Sequence, residues 1–278
     1  MAIQRIAAFT YQGTGGNPAG VVIGEKMPSD DDMLKIAKEV GYSETAFLQK
    51  KGEGWRIRFF APEIEVPFCG HATIASGAVL GEQFGLGVYK LYLNKGKISI
   101  EVSQSDNGVF TTTLQSPNTQ SNAAPQALIT KLFTIFNFSA NDVNNYFPIR
   151  IASAGANHLI VVLNNQQALS NMSYDYDKLK ALMLAHELIT INLLWRESKQ
   201  LFHSRNPFPP GGVYEDPATG AAAAAFAGYL RDIGYDCENR LEILQGHDMG
   251  VPSRLLVNFS DSMGEGVYVA GETRVIDS

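Results

Sequence analysis

The strongest constraint in this sequence comes from two segments that are predicted to be helices without a polar face. Residues 218–232 begin within the acidic, proline-containing motif YEDPATG (214–220) and are almost all alanine and other small or apolar residues. Residues 71–84 follow the motif VPFCG and have the same character. A helix without a polar face is stable only when buried, and the free N–H groups of its first turn attract anions. Two such helices, each preceded by a turn with a titratable side chain, predict two similar domains that face each other across a cleft.

The composition is that of a globular protein and excludes several function classes. Of 278 residues, 45% are hydrophobic and 18% charged, which is unlike a disordered chain. The formal charge is −6 and the Lys and Arg residues are scattered, so no nucleic-acid surface is predicted. Cys69 and Cys237 suit a reducing compartment. The sequence shows neither a signal-peptide pattern nor a bilayer-length apolar run. We therefore expect a cytoplasmic protein with no membrane or nucleic-acid partner.

Short β-like runs separated by Gly, Asn or Pro dominate the first half of the sequence. Between them, residues 30–40 have helical spacing and an acidic first turn, which suits the helix dipole. With the buried segment at residues 71–84, this half is predicted to be a strand-rich unit around one central helix. Strands are predicted at residues 3–9, 19–23, 45–49, 55–60, 88–93, 97–102 and 109–114.

The second half repeats this organisation after residues 115–127, which contain SPNTQSNAAP and are interpreted as a linker. The predicted domains are residues 1–120 and 121–278, and the sequence leaves open whether the last strand returns to the first domain. Besides the helix at residues 218–232, helices are predicted at residues 127–136 and 175–186. Strands are predicted at residues 158–163, 190–195, 200–203, 241–244, 254–259 and 266–269.

Glu44, in the motif GYSETAFL, is a candidate general acid or base. It lies at the mouth of a predicted strand, where neighbouring apolar residues partly desolvate a carboxylate and make it usable in proton transfer. A solvated loop glutamate or a helix-capping side chain explains the same residue, since exposed glutamates are common. The residues alone leave both interpretations open.

His71 follows Gly70 at the start of the first buried helix. The helix dipole favours a neutral imidazole there, which can bind a substrate by hydrogen bonds. A capping histidine or one satisfied within the core is the alternative interpretation. The remaining histidines show no zinc-ligand spacing with His71 or Cys69, so no metal site is predicted. They are His158, His186, His203 and His247.

Asp216 precedes Pro217, and an Asp-Pro pair is typical of a helix N-cap followed by the first helical position. We therefore predict that Asp216 caps the second buried helix, where its carboxylate can also hold a substrate hydroxyl or amine. Glu215 is the weaker candidate. Cys69 is a candidate nucleophile or base because helix N-termini stabilise thiolates, although a buried cysteine more often serves packing.

Six motifs together resemble the signature of the PhzF family of phenazine-biosynthesis-like isomerases. Their order and spacing agree along essentially the whole chain. They are NPAGVV (17–22), SETAF (43–47), RFFAP (58–62), CGHAT (69–73), SR (204–205) and EDPATG (215–220).

The resemblance implies an α+β fold similar to diaminopimelate epimerase, with two pseudo-symmetric domains. Each would be a curved β-sheet or barrel around a central helix, with the site between the domains. It also implies chemistry on a small carboxylate-bearing metabolite without metal or organic cofactor. Family members of this kind are often homodimers. In the phenazine enzyme, trans-2,3-dihydro-3-hydroxyanthranilate is isomerised by moving a proton from one ring carbon to another.

The resemblance also implies roles for individual residues. Glu44 would carry the proton between carbons, and His71 and Asp216 would bind and polarise substrate groups. Backbone amides at the two helix N-termini would hold a carboxylate. The further substrate-binding positions implied are Asn17, Ser43, Gly70, Ala72, Thr219, Gly220 and Ala221.

Epimerases of this fold use a pair of cysteines, one in each domain. Cys69 stands where the first belongs, but Pro217 or its neighbours occupy the second position, so two-thiol racemisation is not expected. Three hypotheses remain: an isomerase using Glu44, a racemase or epimerase using Cys69 with a non-thiol partner, and a metabolite-binding protein without catalysis. The fold alone does not decide among them.

Overall fold

A computed structural model describes residues 2–276 of the chain. These residues form two compact units, one of residues 2–115 with residues 270–276, and one of residues 116–269. The division lies a few residues before the boundary proposed at residue 120. The end of the chain belongs with the first unit because the last strand pairs with the first one.

The strands of the first unit close into a β-barrel, starting and ending at β1. Its strands are β1 (Ile3–Ala8), β2 (Asn17–Gly24), β3 (Thr45–Lys51), β4 (Gly54–Phe60), β5 (Glu65–Val66), β6 (Gly87–Tyr92), β7 (Lys97–Gln104), β8 (Phe110–Gln115) and most of β17 (Tyr268–Val275).

The ring runs from β1 through β2, β3, β4, β6, β7 and β8 to β17, which pairs with β1 again. The pairs β2–β3 and β4–β6 are parallel, and parallel neighbours need a crossover connection. Two helices supply these crossovers, α1 (Asp30–Val40) and α2 (Gly70–Phe84). The prediction of α1 is confirmed; Ser29 caps it by accepting the amide of Asp32.

Helix α2 is the buried centre of the first unit. Every residue from His71 to Gly81 is buried, and the helix packs against β1, β2, β3, β7 and β8. Gly77 makes this approach possible, because a Cβ atom there would overlap the side chain of Thr112 in β8 and lie 2.9 Å from its Cβ. The predicted buried helix is therefore confirmed, and its glycine sets the distance between helix and barrel wall.

The second unit repeats this plan with additional helices. Its strands are β9 (Gln120–Ala123), β10 (Arg150–Ser153), β11 (Asn157–Leu163), β12 (Thr190–Arg196), β13 (Leu201–Pro207), β14 (Glu215–Asp216), β15 (Arg240–Gln245) and β16 (Ser253–Asn258). Its helices are α3 (Gln126–Phe136), α4 (Gln166–Ser170), α5 (Tyr176–Ala185) and α6 (Gly220–Asp232), with short 3₁₀ turns at Pro209–Gly211 and His247–Met249.

The order of strand pairing shows the internal repeat directly. From β1 to β7 successive pairs alternate between antiparallel and parallel, and the pairs from β10 to β16 alternate in the same way. Helix α6 occupies the place of α2: residues Ala222 to Arg231 are buried, and α6 packs against β9, β10, β11 and β16. Gly228 faces Thr119 as Gly77 faces Thr112.

Helices α3, α4 and α5 cover the second unit with a separate apolar core that includes Leu128, Leu132, Leu179 and Met183. In residues 2–276 no helix combines the length and the apolar character that a bilayer crossing requires.

The predicted linker at residues 115–127 contains a strand, so that interpretation is wrong in part. β9 pairs with β10, for example Ser121 with Ala152. Its sequence, QSNA, has no apolar alternation that would predict a strand. Backbone pairing with β10 and hydrogen bonds of the Ser121 side chain to Asp232 and Arg150 hold it in place. Both β9 and β10 were missed for this reason: tertiary pairing, rather than local propensity, makes them strands.

A chain of buried polar side chains crosses the sheet of the second unit. The Nδ1 atom of His158 lies 2.8 Å from the hydroxyl of Thr190, which donates to Asn206 at 2.9 Å. Asn206 donates to Ser204, and Ser204 donates to Asn192. Because the Thr190 hydroxyl hydrogen is already donated, His158 must donate from Nδ1. Its Nε2 atom has no hydrogen-bond partner among the described residues.

Burial lowers the pKa of His158 to about 3. The unfolded chain takes up this proton near the ordinary histidine pKa of about 6.5, whereas the folded protein does not, so the free energy of unfolding falls as the solution is acidified below that value. We expect His158 to contribute a slope of about 1.4 kcal/mol per pH unit between about pH 6 and pH 4. Chemical denaturation of the wild type and of His158→Gln across this range measures it. The two stability curves should converge at acid pH, and parallel curves would contradict the assignment.

Candidate active site

The predicted site residues fall into two groups, one in each unit. The first group lies where the loop after α1 meets the first turn of α2. Helix α1 ends at Val40, and its C-cap residue Gly41 turns the chain with a positive φ of 73°. Ser43 and Glu44 then lie immediately before β3. The backbone oxygen of Glu44 accepts the amide of Gly20 in β2, at 3.2 Å. This hydrogen bond and the following strand β3 together fix the backbone position from which the Glu44 side chain extends.

Glu44 and His71 are in direct contact. Carboxylate atom Oε2 of Glu44 lies 3.3 Å from Nε2 of His71, and the two side chains are 19% and 9% exposed. The Oε2 atom is itself buried and has no hydrogen-bond partner of good geometry in the described structure. A carboxylate in this state can accept a proton with little competition from water, which is what a general base needs.

Two further side chains surround the imidazole. The hydroxyl of Ser43 lies 3.3 Å from Nε2 of His71. The sulfur of Cys69 lies 3.4 Å from Nδ1 and 3.8 Å from Nε2. Cys69 is the N-cap residue of α2 and has extended backbone, but its side chain does not cap the helix by a hydrogen bond. Sequence separation concealed this cluster, because the loop before β3 and the turn before α2 meet only in the folded barrel.

The remaining predicted residues of the first unit lie at the start of β2 and in the first turn of α2. Asn17 is buried at the start of β2, opposite Ala8 in β1. Gly70 and Ala72 stand on either side of His71 in the first turn of α2, where the N–H groups have no acceptor within the helix. Such a turn can hold an anion, as the sequence predicted for a substrate carboxylate.

The second group lies at the start of α6, and here one prediction is wrong. Asp216 does not cap the helix: it is the second residue of β14, and α6 begins at Gly220 with Thr219 as its N-cap residue. The hydroxyl of Thr219 donates to Oδ2 of Asp216 at 2.6 Å. The Asp-Pro pair marks the end of a strand rather than the start of the helix, because β14 pairs with β13 up to Asp216.

Gln245, which the sequence analysis did not single out, holds this turn together. Its side chain donates to the backbone oxygen of Asp216 at 2.7 Å and accepts the amide of Thr219 at 3.1 Å. The Thr219 amide is therefore already paired. Gly220 and Ala221, both partly accessible, keep first-turn N–H groups that have no acceptor within α6.

The same sequence pattern leads into both central helices. It is Glu-x-Pro-x-x-Gly, at residues 65–70 before α2 and at residues 215–220 before α6. In each case the short strand that carries the glutamate pairs with the preceding long strand, and the last residue before the helix is its N-cap. Cys69 and Thr219 are therefore equivalent positions.

An arginine on the neighbouring long strand forms a bidentate ion pair with each of these glutamates. Arg58 donates from Nε and Nη2 to Glu65 at 2.8 and 2.6 Å, and these hydrogen bonds lower the pKa of Glu65. Arg205 donates from Nε and Nη2 to Glu215 at 3.1 and 2.6 Å. Such bidentate pairs fix orientation as well as distance. Aligning the two Glu-x-Pro-x-x-Gly segments reveals both glutamates in the sequence. The arginines stand in two of the six motifs, RFFAP and SR, but the sequence does not show that they pair with these glutamates.

Three side chains of the first group also have metal-ligand character. Donor atoms of Glu44, Cys69 and His71 all lie within 4.8 Å of one another. Spacing among histidines and cysteines gives no sign of this group, because its third member is a carboxylate from a separate loop.

Comparison with known proteins decides the family. The model for phenazine biosynthesis-like proteins matches residues 6–277. The chain belongs to this family. The recognition made from the six motifs is thereby confirmed.

Two relatives illustrate how far the likeness extends. The chain is 27% identical, over an alignment of 289 positions including gaps, to the uncharacterized isomerase YfhB of Bacillus subtilis, covering 99% of this chain and 98% of the relative. It is 30% identical over 270 aligned residues to trans-2,3-dihydro-3-hydroxyanthranilate isomerase of Pseudomonas aeruginosa, covering 94% and 91%. The family and these relatives support an isomerase.

Solved structures support the fold. A PhzF-family phenazine biosynthesis protein of Bacillus anthracis has a TM-score of 0.85 at 22% identity, covering 99% of this chain and 96% of that one. A probable proline racemase of Agrobacterium radiobacter has a TM-score of 0.65 at 10% identity, covering 99% and 90%. With the closed barrel described above, these likenesses confirm the predicted α+β, epimerase-like fold.

The two arginine–glutamate pairs should differ in their effect on stability. Arg205→Met leaves the Glu215 side chain, which is 3% exposed, without its partner, whereas Arg58→Met leaves Glu65 24% exposed to water. We expect Arg205→Met to lower the free energy of unfolding by about 3–5 kcal/mol, and Arg58→Met to have a smaller effect. The double variant Arg205→Met with Glu215→Leu should recover much of the loss. Urea denaturation measures all three, and equal losses for the two single variants would contradict this account.

Proposed function

We propose that the protein is an isomerase that moves a proton between carbons of a small carboxylate-bearing metabolite, with Glu44 as general acid and base and no cofactor. The observation that carries the proposal is the contact between the half-buried Glu44 carboxylate and the imidazole of His71, 3.3 Å apart beside the first turn of α2. The isomerase relatives support the reaction class.

One carboxylate can perform both halves of such a reaction. It accepts a proton from one substrate carbon and, as the neutral acid, returns that proton to another carbon within reach. The reaction benefits from a site that excludes water, because bulk water would compete for the proton. The low exposure of Glu44 and His71 supports this role.

The charge that develops on the substrate needs stabilisation nearby. We propose that His71 and Ser43 hydrogen-bond to a substrate carbonyl, hydroxyl or amino group, and that the first-turn amides of Gly70 and Ala72 bind its carboxylate. The end of a helix supplies positive potential where negative charge appears during proton removal. Asn17, buried at the start of β2, completes the proposed substrate-binding group of the first unit.

The residues at the start of α6 are proposed as a second substrate-binding group. Asp216 can accept a hydrogen bond from an amine or hydroxyl, and Gly220 and Ala221 offer first-turn amides to an anionic group. Thr219 is assigned a positioning role, because its amide is paired with Gln245 and its hydroxyl with Asp216. The compound named for the Pseudomonas relative carries an amine, a hydroxyl and a carboxylate, which makes it the first substrate to test.

The variant Glu44→Gln tests the central role. It keeps the size of the side chain but cannot accept the substrate proton, so turnover should fall at least about 100-fold while the substrate still binds. Proton NMR in deuterated buffer, with trans-2,3-dihydro-3-hydroxyanthranilate and a panel of small amino and hydroxy acids, follows both product and deuterium entry. Glu39→Gln, on the exposed side of α1, is the matched control and should keep wild-type turnover. Equal rates for Glu44→Gln and wild type would remove Glu44 from the mechanism.

A second candidate function uses Cys69 as the base of a racemase or epimerase. The observation that favours it is the 3.4 Å contact between the sulfur of Cys69 and Nδ1 of His71, which can take up the thiol proton. In that case Cys69→Ser and treatment with iodoacetamide should each abolish activity. Under the leading proposal, Cys69→Ser retains proton transfer by Glu44.

A further inference from the structure

The Glu44, Cys69 and His71 cluster offers three different kinds of metal-binding atom in one place. It supplies a carboxylate oxygen, a sulfur and an imidazole nitrogen, all within 4.8 Å of one another. Within residues 2–276 it is the one group of three or more such side chains with this proximity. The cluster therefore combines ligand types that the proposed isomerase reaction does not itself require.

The separations between these atoms suit a tetrahedral metal ion. Zinc binds sulfur at about 2.3 Å and nitrogen or oxygen at about 2.0–2.2 Å, so tetrahedral angles place its ligand atoms about 3.3–3.7 Å apart. Nε2 of His71 lies 3.3 Å from Oε2 of Glu44 and 3.8 Å from the sulfur of Cys69. The sulfur of Cys69 lies closer to Nδ1 of His71, at 3.4 Å, so the Cys69 side chain must rotate toward Nε2 for all three atoms to reach one ion.

The backbone positions of the three residues are fixed by the fold, independently of a metal. Cys69 and His71 belong to the first turn of α2, whose next residues are buried in the barrel. Glu44 directly precedes β3 and is anchored to β2 through its backbone. Oε2 of Glu44 is buried without a hydrogen-bond partner of good geometry, so a cation would satisfy an otherwise unpaired acceptor.

The ligand set selects the class of metal. A thiolate and an imidazole favour zinc and similar transition-metal ions over magnesium or calcium, which prefer all-oxygen ligands. Three protein ligands leave a fourth position for water. Binding requires loss of the Cys69 thiol proton to solvent, and the other two ligands bind through lone pairs of a carboxylate oxygen and a ring nitrogen.

We propose that Glu44, Cys69 and His71 form a binding site for one Zn²⁺ ion, and that the bound ion switches off proton transfer. The proposed binding site depends only on the geometry of the cluster. The proposed inhibition rests on the proposed function, because a metal bound to Glu44 occupies the carboxylate oxygen that would accept the substrate proton. Chelation of the ion restores Glu44 to its acid–base role.

Cobalt titration of the metal-free full-length protein tests the binding site directly. One equivalent of Co²⁺ should produce intense visible bands of a tetrahedral complex and a near-ultraviolet band from thiolate to cobalt, and Zn²⁺ should remove both. Cys69→Ser should abolish the near-ultraviolet band and weaken Zn²⁺ binding at least about tenfold. Cys237→Ser is the matched control, because Cys237 is also a buried cysteine outside any disulfide and lies in the second unit. It should behave as wild type.

Other outcomes overturn the proposal. Absence of a thiolate band in the wild type, or a band that persists in Cys69→Ser and vanishes in Cys237→Ser, would refute this site. Glu44→Gln provides an independent check on a third ligand and should also weaken Zn²⁺ binding.

The binding readout needs no substrate, so the metal site and the isomerase function can fail separately. Zinc binding in a protein that turns over no substrate would keep the site and reject the function. Turnover that stays constant while zinc saturates the site would reject the inhibition. The expected result is loss of turnover in step with zinc occupancy and recovery on adding EDTA.

Discussion

The structure of each unit depends on the burial of one helix that has no polar face. Helices α2 and α6 consist mainly of small residues, so neighbouring segments approach them closely. In each helix a glycine faces a threonine, Gly77 against Thr112 of β8 and Gly228 against Thr119 just before β9. A buried helix cannot rotate or slide without losing this packing, so its first turn stays at one place relative to the surrounding strands. Apart from Asn17 in β2, the residues proposed to act on substrate belong to the entries of these two helices or lie beside the first turn of α2.

The entry to each helix is fixed by an interaction of a different kind. Arg58 and Arg205 reach from a long strand to the glutamate of the short strand beside it, and a proline and two further residues lead into the helix. The pair in the second unit is the more buried one. The two units share this backbone arrangement but differ in the functional group at the N-cap position, which is the thiol of Cys69 in the first unit and the hydroxyl of Thr219 in the second. A symmetric scaffold thus supports an asymmetric set of functional groups, and only the first unit has a thiol at this position.

Sequence patterns predicted the parts of this structure that depend on local composition. The small, apolar segments identified α2 and α6, and the acidic first turn identified α1. Features that depend on contacts between distant segments were missed. β9 is a strand only through its pairing with β10, and the role of Gln245 arises from two backbone groups of another loop. Asp216 was misassigned as a helix cap because an Asp-Pro pair also suits the end of a short strand. The site residues were named largely through family motifs, whereas their distances came only from the fold.

The cluster around His71 shows why one arrangement can serve two purposes. The Oε2 atom of Glu44 is buried and accepts no hydrogen bond of good geometry from the described residues. Such an oxygen is suited to taking a proton and is equally suited to binding a cation. Proton and metal therefore compete for Glu44, which links the proposed catalysis to the proposed inhibition.

The most direct test of the central claim is to follow one labelled hydrogen through the reaction. Substrate that carries deuterium at the carbon which loses its proton would be converted in ordinary water, and the product analysed by NMR at early times. If Glu44 alone carries the proton, part of the deuterium should appear at the accepting carbon, and turnover should show a primary isotope effect. A product that contains only solvent hydrogen, formed without an isotope effect, would contradict a single-carboxylate shuttle.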